Sequence, residues 1–419
     1  MLRSMFSAIS GLRAHQTKMD VTANNIANVN TVGFKSSATV FQDTLSQVVR
    51  AGGQPAADRG GTNPAQIGLG VKLAGITTNW TNGAQQSTGR STDFMIEGDG
   101  FFVVEGAGGQ QLFTRAGSFD FDSNGNLVTP DGSILQGWMA EADGTVNANG
   151  PVGPLSVPYG AMVNPTSTET GRIQGNLPSD VPVGTSYQLG ADMFDSQGVL
   201  QKVSYNLTKA ADNTWNVTVL HANGTTLLPE PPIDPAVTPL QITFDTNGVL
   251  TNPAGPGFNL PAFTPTGNPS WTNDVTISLA GLTQFGGANT LAAPKPDGYA
   301  LGSLQSFTLG NDGTIMGVYS NGLRQPIGQL ALAAFDNPSG LEKAGNSSFR
   351  VGVNSGIANI GQPGLGGRGE LVSGALEMSN VDLSEEFTGL IIAQRGFQAN
   401  SRVITASDEL LQDLVNLKR

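Results

Sequence analysis

The two ends of the chain share a seven-residue pattern of large apolar side chains. In residues 1–30 one series starts at Leu2 and Ile9 and continues through Gln16 and Ala23, and an interleaved series contains Met5, Leu12, Met19 and Ile26. In residues 380–419 the same spacing joins Leu383, Leu390, Phe397, Ile404 and Leu411. This pattern is typical of a coiled-coil seam and predicts a helix at each end. An amphipathic helix packed on the chain's own core explains the first segment equally well, but the matching second segment favours a coiled coil.

Local signals refine these two helices. Asp382, followed by Glu385, predicts an N-cap with a capping-box partner at the start of the second helix. Gly389 and Gly396 each cost about 1 kcal/mol relative to alanine inside a helix, a cost that close approach of another helix could offset. The alternative is that these glycines are simply tolerated. We assign the small residues of the first helix, such as Ala8, Ser10, Ala14 and Ala27, to its outer faces, where they would let neighbouring helices approach.

Between the ends the pattern changes to short β-type runs. Phe101–Val104 and Gln329–Phe335 are examples, and Gly, Asn and Asp turns separate such runs. Four related turns recur, and each predicts a hairpin because glycine adopts positive φ freely and Asn or Asp tolerates it. These turns are Asp122–Leu127, Asp195–Leu200, Asp245–Leu250 and Asn311–Ile315.

The order of these segments predicts a nested, mainly β protein with terminal α-helices that form a coiled-coil assembly domain. The proline-dense stretch Pro229–Pro235 and the loop-like tract Pro253–Pro269 indicate an inserted domain. The predicted parts are a terminal helical domain (1–30 with 380–419), connectors (31–70 with 354–379), an inner β domain (71–145 with 299–353) and an outer inserted β domain (146–298).

Composition agrees with this interpretation and excludes several functions. The chain has 419 residues with Gly 56 and Pro 24, and only 13% of the residues are charged, which favours turn-rich β structure. A net charge of −12 with dispersed basic residues gives no footprint for nucleic acid. The absence of cysteine excludes disulfides and thiolate chemistry. No apolar run is long enough for membrane insertion, and the N-terminus lacks the continuous apolar stretch of a cleavable secretory signal.

The predicted helices need a partner. Residues 1–30 carry Arg3, Arg13 and Lys18 against Asp20, a net charge of +2, whereas residues 380–419 carry six acidic and four basic residues, a net charge of −2. The two ends are therefore weakly complementary. Ordering each backbone residue costs about 1–2 kcal/mol, which one apolar seam does not offset by itself. We hypothesise that the ends are loose in the monomer and become ordered in a polymer.

Specific residues resemble a known family. The segment Ala23–Lys35 resembles the N-terminal signature of flagellar axial proteins, which include rods and hooks; its matching residues are Asn24, Asn25, Asn28, Asn30, Gly33, Phe34 and Lys35. Residues 379–387, 393–401 (with Gln394, Arg395 and Asn400) and 414–419 resemble the hook branch. The body segments 93–103, 113–119 and 135–138 are also similar, and together these blocks cover roughly a third of the chain.

The resemblance implies a structural role outside the cell. It implies a homopolymer that forms a short curved tube, the flagellar hook at the basal body, which joins rod to filament and transmits torque around a bend. The implied partners are distal rod, hook cap and hook–filament junction proteins and the flagellar type III export apparatus, which would explain export without a signal peptide. The alternatives are a distal rod protein, which should lack the insert, and a secreted β-rich binding module or glycan-active enzyme, which would not need both terminal seams.

Candidate chemical motifs are weak. Asp120, Asp122, Asn124, Gly125 and Asp131 match EF-hand positions, but the strand before them and Pro130 after them favour a hairpin over a calcium site. Gly364, Gly366 and Gly369 fit G-x-G-x-x-G without a βαβ unit, which favours a flexible connector. His15 and His221 lie on different predicted elements, so a two-histidine metal site is not easily assembled. Glu385 and Glu386 point to different helix faces. Asp192, Asp195 and Glu230 could converge in three dimensions, but nothing in the sequence indicates that they do. We predict no catalytic, cofactor or metal site.

Overall fold

A computed structural model describes residues 2–55, 60–141, 144–157, 160, 162–222, 226–228, 240–253, 257–260 and 274–416. It confirms the predicted class, a mainly β protein with a helix at each end. Helix α1 spans Leu2–Ala27, and helix α2 spans Leu383–Asn416. No helix among the described residues is both long and apolar enough to cross a lipid bilayer.

The strands follow in chain order. The first group is β1 Ser37–Asp43, β2 Ser46–Arg50, β3 Ala65–Gly68, β4 Val71–Thr78, β5 Gln85–Ser87, β6 Phe94–Glu97, β7 Phe101–Gly106, β8 Gln110–Thr114, β9 Asp120–Phe121, β10 Leu127–Val128, β11 Ile134–Met139 and β12 Gly153–Pro154. The second is β13 Met162–Val163, β14 Thr170–Arg172, β15 Gly175–Pro178, β16 Ser186–Phe194, β17 Leu200–Ala211, β18 Thr214–His221, β19 Thr226–Leu228, β20 Leu240–Phe244, β21 Leu250–Asn252, β22 Gly257–Leu260, β23 Val275–Ser278 and β24 Leu282–Phe285. The third is β25 Gly302–Leu309, β26 Thr314–Tyr319, β27 Arg324–Leu330, β28 Leu332–Ala334, β29 Glu342–Gly345, β30 Ser348–Arg350, β31 Asn359–Gly361, β32 Glu370–Ser373 and β33 Ala375–Glu377, with a 3₁₀ turn at Pro338–Gly340.

The chain folds into two compact units. Unit 1 contains Met1–Pro158, Phe307–Met316 and Pro326–Arg419, and unit 2 contains Tyr159–Ser306 and Gly317–Gln325. In unit 1 an antiparallel sheet runs in the order β27-β11-β7-β8-β30-β29, and β28 pairs with β7 and β31. Its core is built mainly from aromatic and small side chains. They lie on one face of the sheet, because every second residue of a strand points to the same side. The buried members are Phe101, Val103, Phe113, Trp138, Ala331, Ala333, Phe335 and Phe349.

Unit 2 has its own hydrophobic core. Strands β16-β17-β18-β20-β21 form an antiparallel sheet, while β14 with β23 and β15 with β24 pair in parallel. Along β17 and β18 buried and more exposed positions alternate strictly, so one face of the sheet covers the core. Trp215, Tyr205 and Ile277 are each almost fully buried in it.

All four recurring turns connect neighbouring strands, which confirms the hairpin prediction. In three of them an aspartate side chain accepts hydrogen bonds from the backbone N–H groups two and four residues later; for Asp245 these distances are 2.7 Å to Val249 and 2.9 Å to Asn247. The glycine of each turn, such as Gly248 with φ of +75°, has the positive φ that a larger residue would adopt at a cost.

Other predictions agree with the structure only in part or fall outside the described residues. The run Gln329–Phe335 is divided between β27 and β28, because the chain leaves β11 as its neighbour and pairs with β7 instead. The predicted connector 31–70 contains β1, β2 and β3. Pro229–Pro235 and most of Pro253–Pro269 lie outside the described residues, as does Glu230.

Candidate assembly site

The two terminal helices pack against each other within one chain. Four contacts define how they run: Gly11 lies against Asn400, His15 against Gly396, Thr22 against Gly389, and Asn25 donates to Glu386. The residue numbers rise along α1 as they fall along α2 by equal steps, so the helices are antiparallel in a single register. The steps of three, four and seven residues are those of a coiled coil. Within this chain α2 therefore supplies the partner that α1 requires.

Small residues occupy the centre of this helix contact. Ala8 and Ala393 are 3% and 0% exposed, and Thr22 and Ser407 are also buried. The prediction that Ala8 and Ala14 face outward is therefore wrong, since Ala14 is also only 6% exposed. Small side chains let two helix backbones come close enough for dense packing of short groups, which a pattern search for large apolar residues does not detect.

The predicted seam residues lie beside this centre. Most of them are half-buried: Met5, Ile9, Leu12, Met19, Ile26, Leu390, Phe397, Ile404 and Leu411. Leu383 is exposed, and for Leu2 only the helical backbone is described. Their assignment to contacts between copies stays a prediction.

Gly396 is required where it stands, whereas Gly389 is not. A Cβ atom on Gly396 would lie 2.5 Å from the imidazole Nε2 of His15, which is far below a van der Waals contact. A Cβ on Gly389 would meet its nearest neighbour, the Thr22 hydroxyl, at 4.0 Å. The structure thus explains one of the two helix glycines by close approach.

The start of α2 has the predicted N-cap at Asp382, and the capping-box role of Glu385 stays a prediction. The Asp382 carboxylate accepts hydrogen bonds from the N–H groups of Ser384 and Glu385 at 2.8 and 3.3 Å. Glu385 itself is exposed, and the neighbouring Glu386 accepts a bond of 2.6 Å from the Asn25 amide. Glu386 therefore joins the cap of α2 to the last turns of α1.

Asn25 is the centre of a polar junction between the helices and the sheet. Its side chain is 1% exposed. Its Nδ2 donates to the Ser37 carbonyl at 2.8 Å as well as to Glu386, and its Oδ1 accepts from the Ser37 N–H at 3.0 Å. The amide thus uses both its donor and its acceptor functions, an arrangement that neither Asp nor Ala can reproduce.

A buried ion pair forms the second part of this junction. Lys35, which follows α1, donates to Glu377, which precedes α2, at 2.7 Å, and both side chains are 1% exposed. Lys35 also donates to the Thr81 carbonyl, and Arg115 approaches the second Glu377 oxygen at 3.5 Å. Burial lowers the pKa of Lys35 below its usual value, and the bond and charge of Glu377 act in the opposite direction. Burial likewise lowers the pKa of Arg115.

Other motif residues serve the same junction. Gly33 has φ of +68°, and a Cβ there would lie 2.5 Å from the Ala116 nitrogen, so only glycine fits. Phe34 lies under the Lys343 ammonium group at 5.5 Å. Asn28 closes the end of α1 by donating to the Asn24 carbonyl.

Five of the predicted motif residues do not join the junction. Asn24, Asn30, Gln394 and Arg395 have exposed side chains. Asn400 lies away from the junction, in the helix contact, where it donates to the Gly396 carbonyl. Sequence analysis missed Glu377, and it did not single out Arg115 and Asn380, although they lie in the similar segments 113–119 and 379–387. Asn380 accepts from the Ser36 N–H and donates to the Asn79 carbonyl; the available signal was an isolated charge in an otherwise apolar strand, Glu377 after Ala375 and Leu376.

Residues of the candidate chemical motifs make contacts within the fold. Asp122 directs its carboxylate to the N–H groups of its own turn, and Asp120 pairs with Arg90. Among the residues that the structure describes, no cluster of three or more potential metal ligands occurs. Gly364 and Gly366 have positive φ in a turn closed by the Gly364 to Gly369 hydrogen bond. His221 bonds Gln201, which in turn bonds Asp195, in a buried network.

The fold and this site define a class: a mainly β protein whose two chain ends form one helical arm, which a buried polar junction joins to neighbouring β strands. Four families match successive parts of the chain. They are described as "Flagella basal body rod protein" (residues 5–35), "Flagellar hook protein FlgE/F/G D1 domain" (95–174), "Flagellar basal body protein FlaE D2 domain" (162–299) and "Flagellar basal body rod FlgEFG protein C-terminal" (372–417).

Full-length relatives narrow this class. A flagellar hook protein FlgE of Borreliella burgdorferi is 39% identical over 100% of both chains, and a flagellar basal-body rod protein FlgG of Bacillus subtilis is 33% identical over 100% of both. A crystal structure of Helicobacter pylori flagellar hook protein FlgE2 aligns with a TM-score of 0.47 at 16% identity, covering 63% of this chain and 93% of that one. The chain belongs to the flagellar hook protein FlgE family, which confirms the resemblance found in the sequence.

Proposed function

We propose that this chain is the structural subunit of a bacterial flagellar hook, outside the cell, and that it polymerises through its terminal helices. One observation carries the proposal of assembly through the helices. After pairing with α1, helix α2 still exposes a series of large apolar side chains, each 40–56% exposed. A single protein chain in water rarely leaves so much apolar surface on one helix unless another molecule covers it. The exposed residues are Leu383, Phe387, Ile391, Ile392, Val403 and Leu410.

The proposed organisation follows the predicted parts. The arm (1–30 with 380–419) mediates contacts between copies, connectors (31–70 with 354–379) lead to the inner β domain (71–145 with 299–353), and the insert (146–298) faces outward. The large overlap between unit 2 and the predicted insert supports this division. As a hook subunit the chain acts mechanically, without catalytic chemistry, and its further partners are the distal rod, the hook cap, the hook–filament junction and the type III export apparatus.

The full-length match to a rod protein favours one second candidate, a distal rod subunit. Electron microscopy of cells that lack this chain separates the two. Loss of a hook leaves basal bodies that end in a complete rod, whereas loss of a distal rod subunit also shortens the rod. Cells with normal hooks and filaments would refute both assignments.

A second experiment tests the arm directly. Replacing Phe387 and Ile391 by Asp should abolish polymerisation of the purified chain, because buried carboxylates oppose association of the helices. The matched control replaces Val183 and Val249 by Asp; these unit 2 residues are 61% and 56% exposed, and their change should leave polymerisation intact. Equal polymerisation of both variants would contradict assembly through the arm. That outcome would favour the alternatives, a binding module or a glycan-active enzyme.

A further inference from the structure

Helix α2 extends beyond the end of α1. In the register fixed by the Gly11–Asn400 and His15–Gly396 contacts, Leu2 lies opposite Glu409, so the last turns of α2 pass the point where α1 begins. We call residues 408–416 the free end of α2. Asp408, Glu409 and Asp413 are exposed in it, and Leu410 is 55% exposed. Residues 408–416 contain three acidic and no basic residues, and the basic Lys418 and Arg419 follow them outside the described residues.

A groove of about 380 Å³ elsewhere on the arm carries charge of the opposite sign. It runs between α1 and β4 and is lined on α1 by Phe6, Ile9 and Arg13 and on β4 by Val71 to Leu73. Phe6 is 63% exposed, which leaves a large apolar wall open to solvent. Arg13 and Lys72 are exposed at its rim, and one carboxylate, Asp43, pairs across the strands with Val71. These three side chains give the groove a net charge of +1.

The two surfaces of one copy cannot meet. The groove spans residues 6–17 of α1, whereas the free end begins level with Arg3 and continues past Leu2. From Arg13 to Leu2 the helix rises roughly 16 Å, at about 1.5 Å per residue. Because α2 is one continuous helix, its end cannot fold back over this length. Any free end that occupies the groove must therefore belong to another copy.

We propose that the free end of α2 from one copy docks in the α1–β4 groove of the next. The contact is a helix-in-groove type, in which Leu410 enters against Phe6 and the acidic residues face Arg13 and Lys72. Glu409 and Asp413 are four residues apart and share a helix face, and Leu410 is adjacent to it. The inference rests on the proposed function, because it names the mating surfaces of the same arm.

This contact has a direct consequence for assembly. Each copy offers one groove and one free end, so the interface joins two different surfaces. Interfaces of this type continue from copy to copy and build open filaments where the rotation does not close. Opposite charges at the rim also favour encounter in the correct orientation.

Charge reversal and rescue test the proposal. Arg13→Glu with Lys72→Glu should raise the critical concentration for polymerisation of the purified chain by about tenfold or more, and Glu409→Lys with Asp413→Lys should do the same. In a mixture of the two variants every contact between unlike copies is charge-complementary, so the mixture should have a lower critical concentration than either variant alone. Combining all four changes in one chain should restore the critical concentration to within about threefold of the native value. Sedimentation measures the critical concentration of each sample, and electron microscopy shows whether polymers form. Lys202→Glu in unit 2, where Lys202 is exposed, is the matched control and should change nothing.

The outcomes separate the two proposals. If the native chain fails to polymerise under any condition, assembly through the arm is refuted. If the native chain polymerises and either reversed pair polymerises equally well, or the four-fold variant assembles no better than the two pairs, only the groove contact is overturned. Should a reversal unfold the arm, the neutral variant Arg13→Gln with Lys72→Gln provides the test. Salt raises the critical concentration of the native chain by screening the contact, and the proposal requires a smaller rise with salt in this variant.

Discussion

The imidazole of His15 lies directly over the backbone of Gly396, where a single added carbon would come within 2.5 Å of Nε2. The Nδ1 atom of this ring is buried, and the ring also packs edge-on against Phe41 at a centroid distance of 6.3 Å. The ring is thus held between α2 and strand β1, and the distance between the two helices is fixed by the absence of a side chain at position 396.

Gly396→Ala should therefore separate the helices. Alanine is the better helix former by about 1 kcal/mol, but the overpacked His15 should turn this gain into a net loss of about 1–3 kcal/mol in the free energy of unfolding of the arm. Thermal unfolding followed by circular dichroism at the helix band measures the change. Gly389→Ala is the matched control and should stabilise the arm, since its Cβ has ordinary room. Equal effects of the two changes would contradict the close-approach explanation.

Removing one partner of the buried Lys35–Glu377 pair should be strongly destabilising. Glu377→Gln removes the carboxylate that contacts both Lys35 and Arg115, and Lys35→Met leaves Arg115, at 3.5 Å, as the cation that still contacts Glu377. Each change should lower the free energy of unfolding of unit 1 by about 3–5 kcal/mol. Urea unfolding followed by tryptophan fluorescence measures it, because Trp80 lies in the same unit.

The chain supplies a control for this pair. Arg350 and Glu342 form an ion pair at 2.7 Å in the same unit, but their side chains are 55% and 50% exposed. Glu342→Gln should cost less than about 1 kcal/mol because water already solvates both groups. A loss as large as that of Glu377→Gln would show that burial does not decide the effect.

Asn25→Asp should destabilise the arm, while Asn24→Asp should not. The new carboxylate at position 25 would face Glu386 and the Ser37 carbonyl, replacing two donated hydrogen bonds by repulsion, with an expected loss of at least about 2 kcal/mol. Asn24 is exposed in the preceding position of the same motif. Helix content and thermal stability of the two variants measure the difference, and a similar loss in both would contradict the role assigned to Asn25.

Stability should fall in acid partly through the hairpin turns. Hydrogen bonds, the largest from the Val249 N–H, hold the pKa of Asp245 below its usual value, and the Asn126 amide does the same for Asp122. A lowered folded-state pKa contributes stability that is present above the unfolded value of about 3.9 and lost as the pH falls through the folded value. Asp245→Asn should therefore be less stable than the native chain at neutral pH, and the difference should shrink in acid.

Urea unfolding of unit 2 at about pH 7 and at about pH 3 checks this expectation. Asp212→Asn, at an exposed position before the β18 strand, serves as the comparison. A difference between native chain and Asp245→Asn that stays constant across this range would show that the charge of Asp245 contributes nothing.

Features encoded by local residues were predictable from the sequence. Asp382 and Gly248 show this, since a cap and a turn depend on neighbours in the chain. The helices were predictable from periodicity, but their contact surface was not: the centre of the pair consists of Ala8, Gly11 and Ala393, whose size rather than hydrophobicity decides the packing. Periodicity reports which face is apolar, and it does not report which face allows the shortest distance between backbones.

The polar junction was only half predictable. The motif drew attention to Asn25 and Lys35, and their resemblance to a family marked them as important without giving a physical reason. Their partners Glu386 and Glu377 lie more than three hundred positions away, and only the folded chain brings them together. A buried ion pair of this kind cannot be inferred from one sequence, because either partner alone resembles an ordinary surface charge.

The placement of that junction has a mechanical consequence. Both segments that link the helical arm to the β strands pass through it, and the bonds from Lys35 to Glu377 and from Ser36 to Asn380 connect one segment to the other. A twisting load on the arm would therefore be divided between these two bonds. A shaft coupled in this way resists rotation at its root.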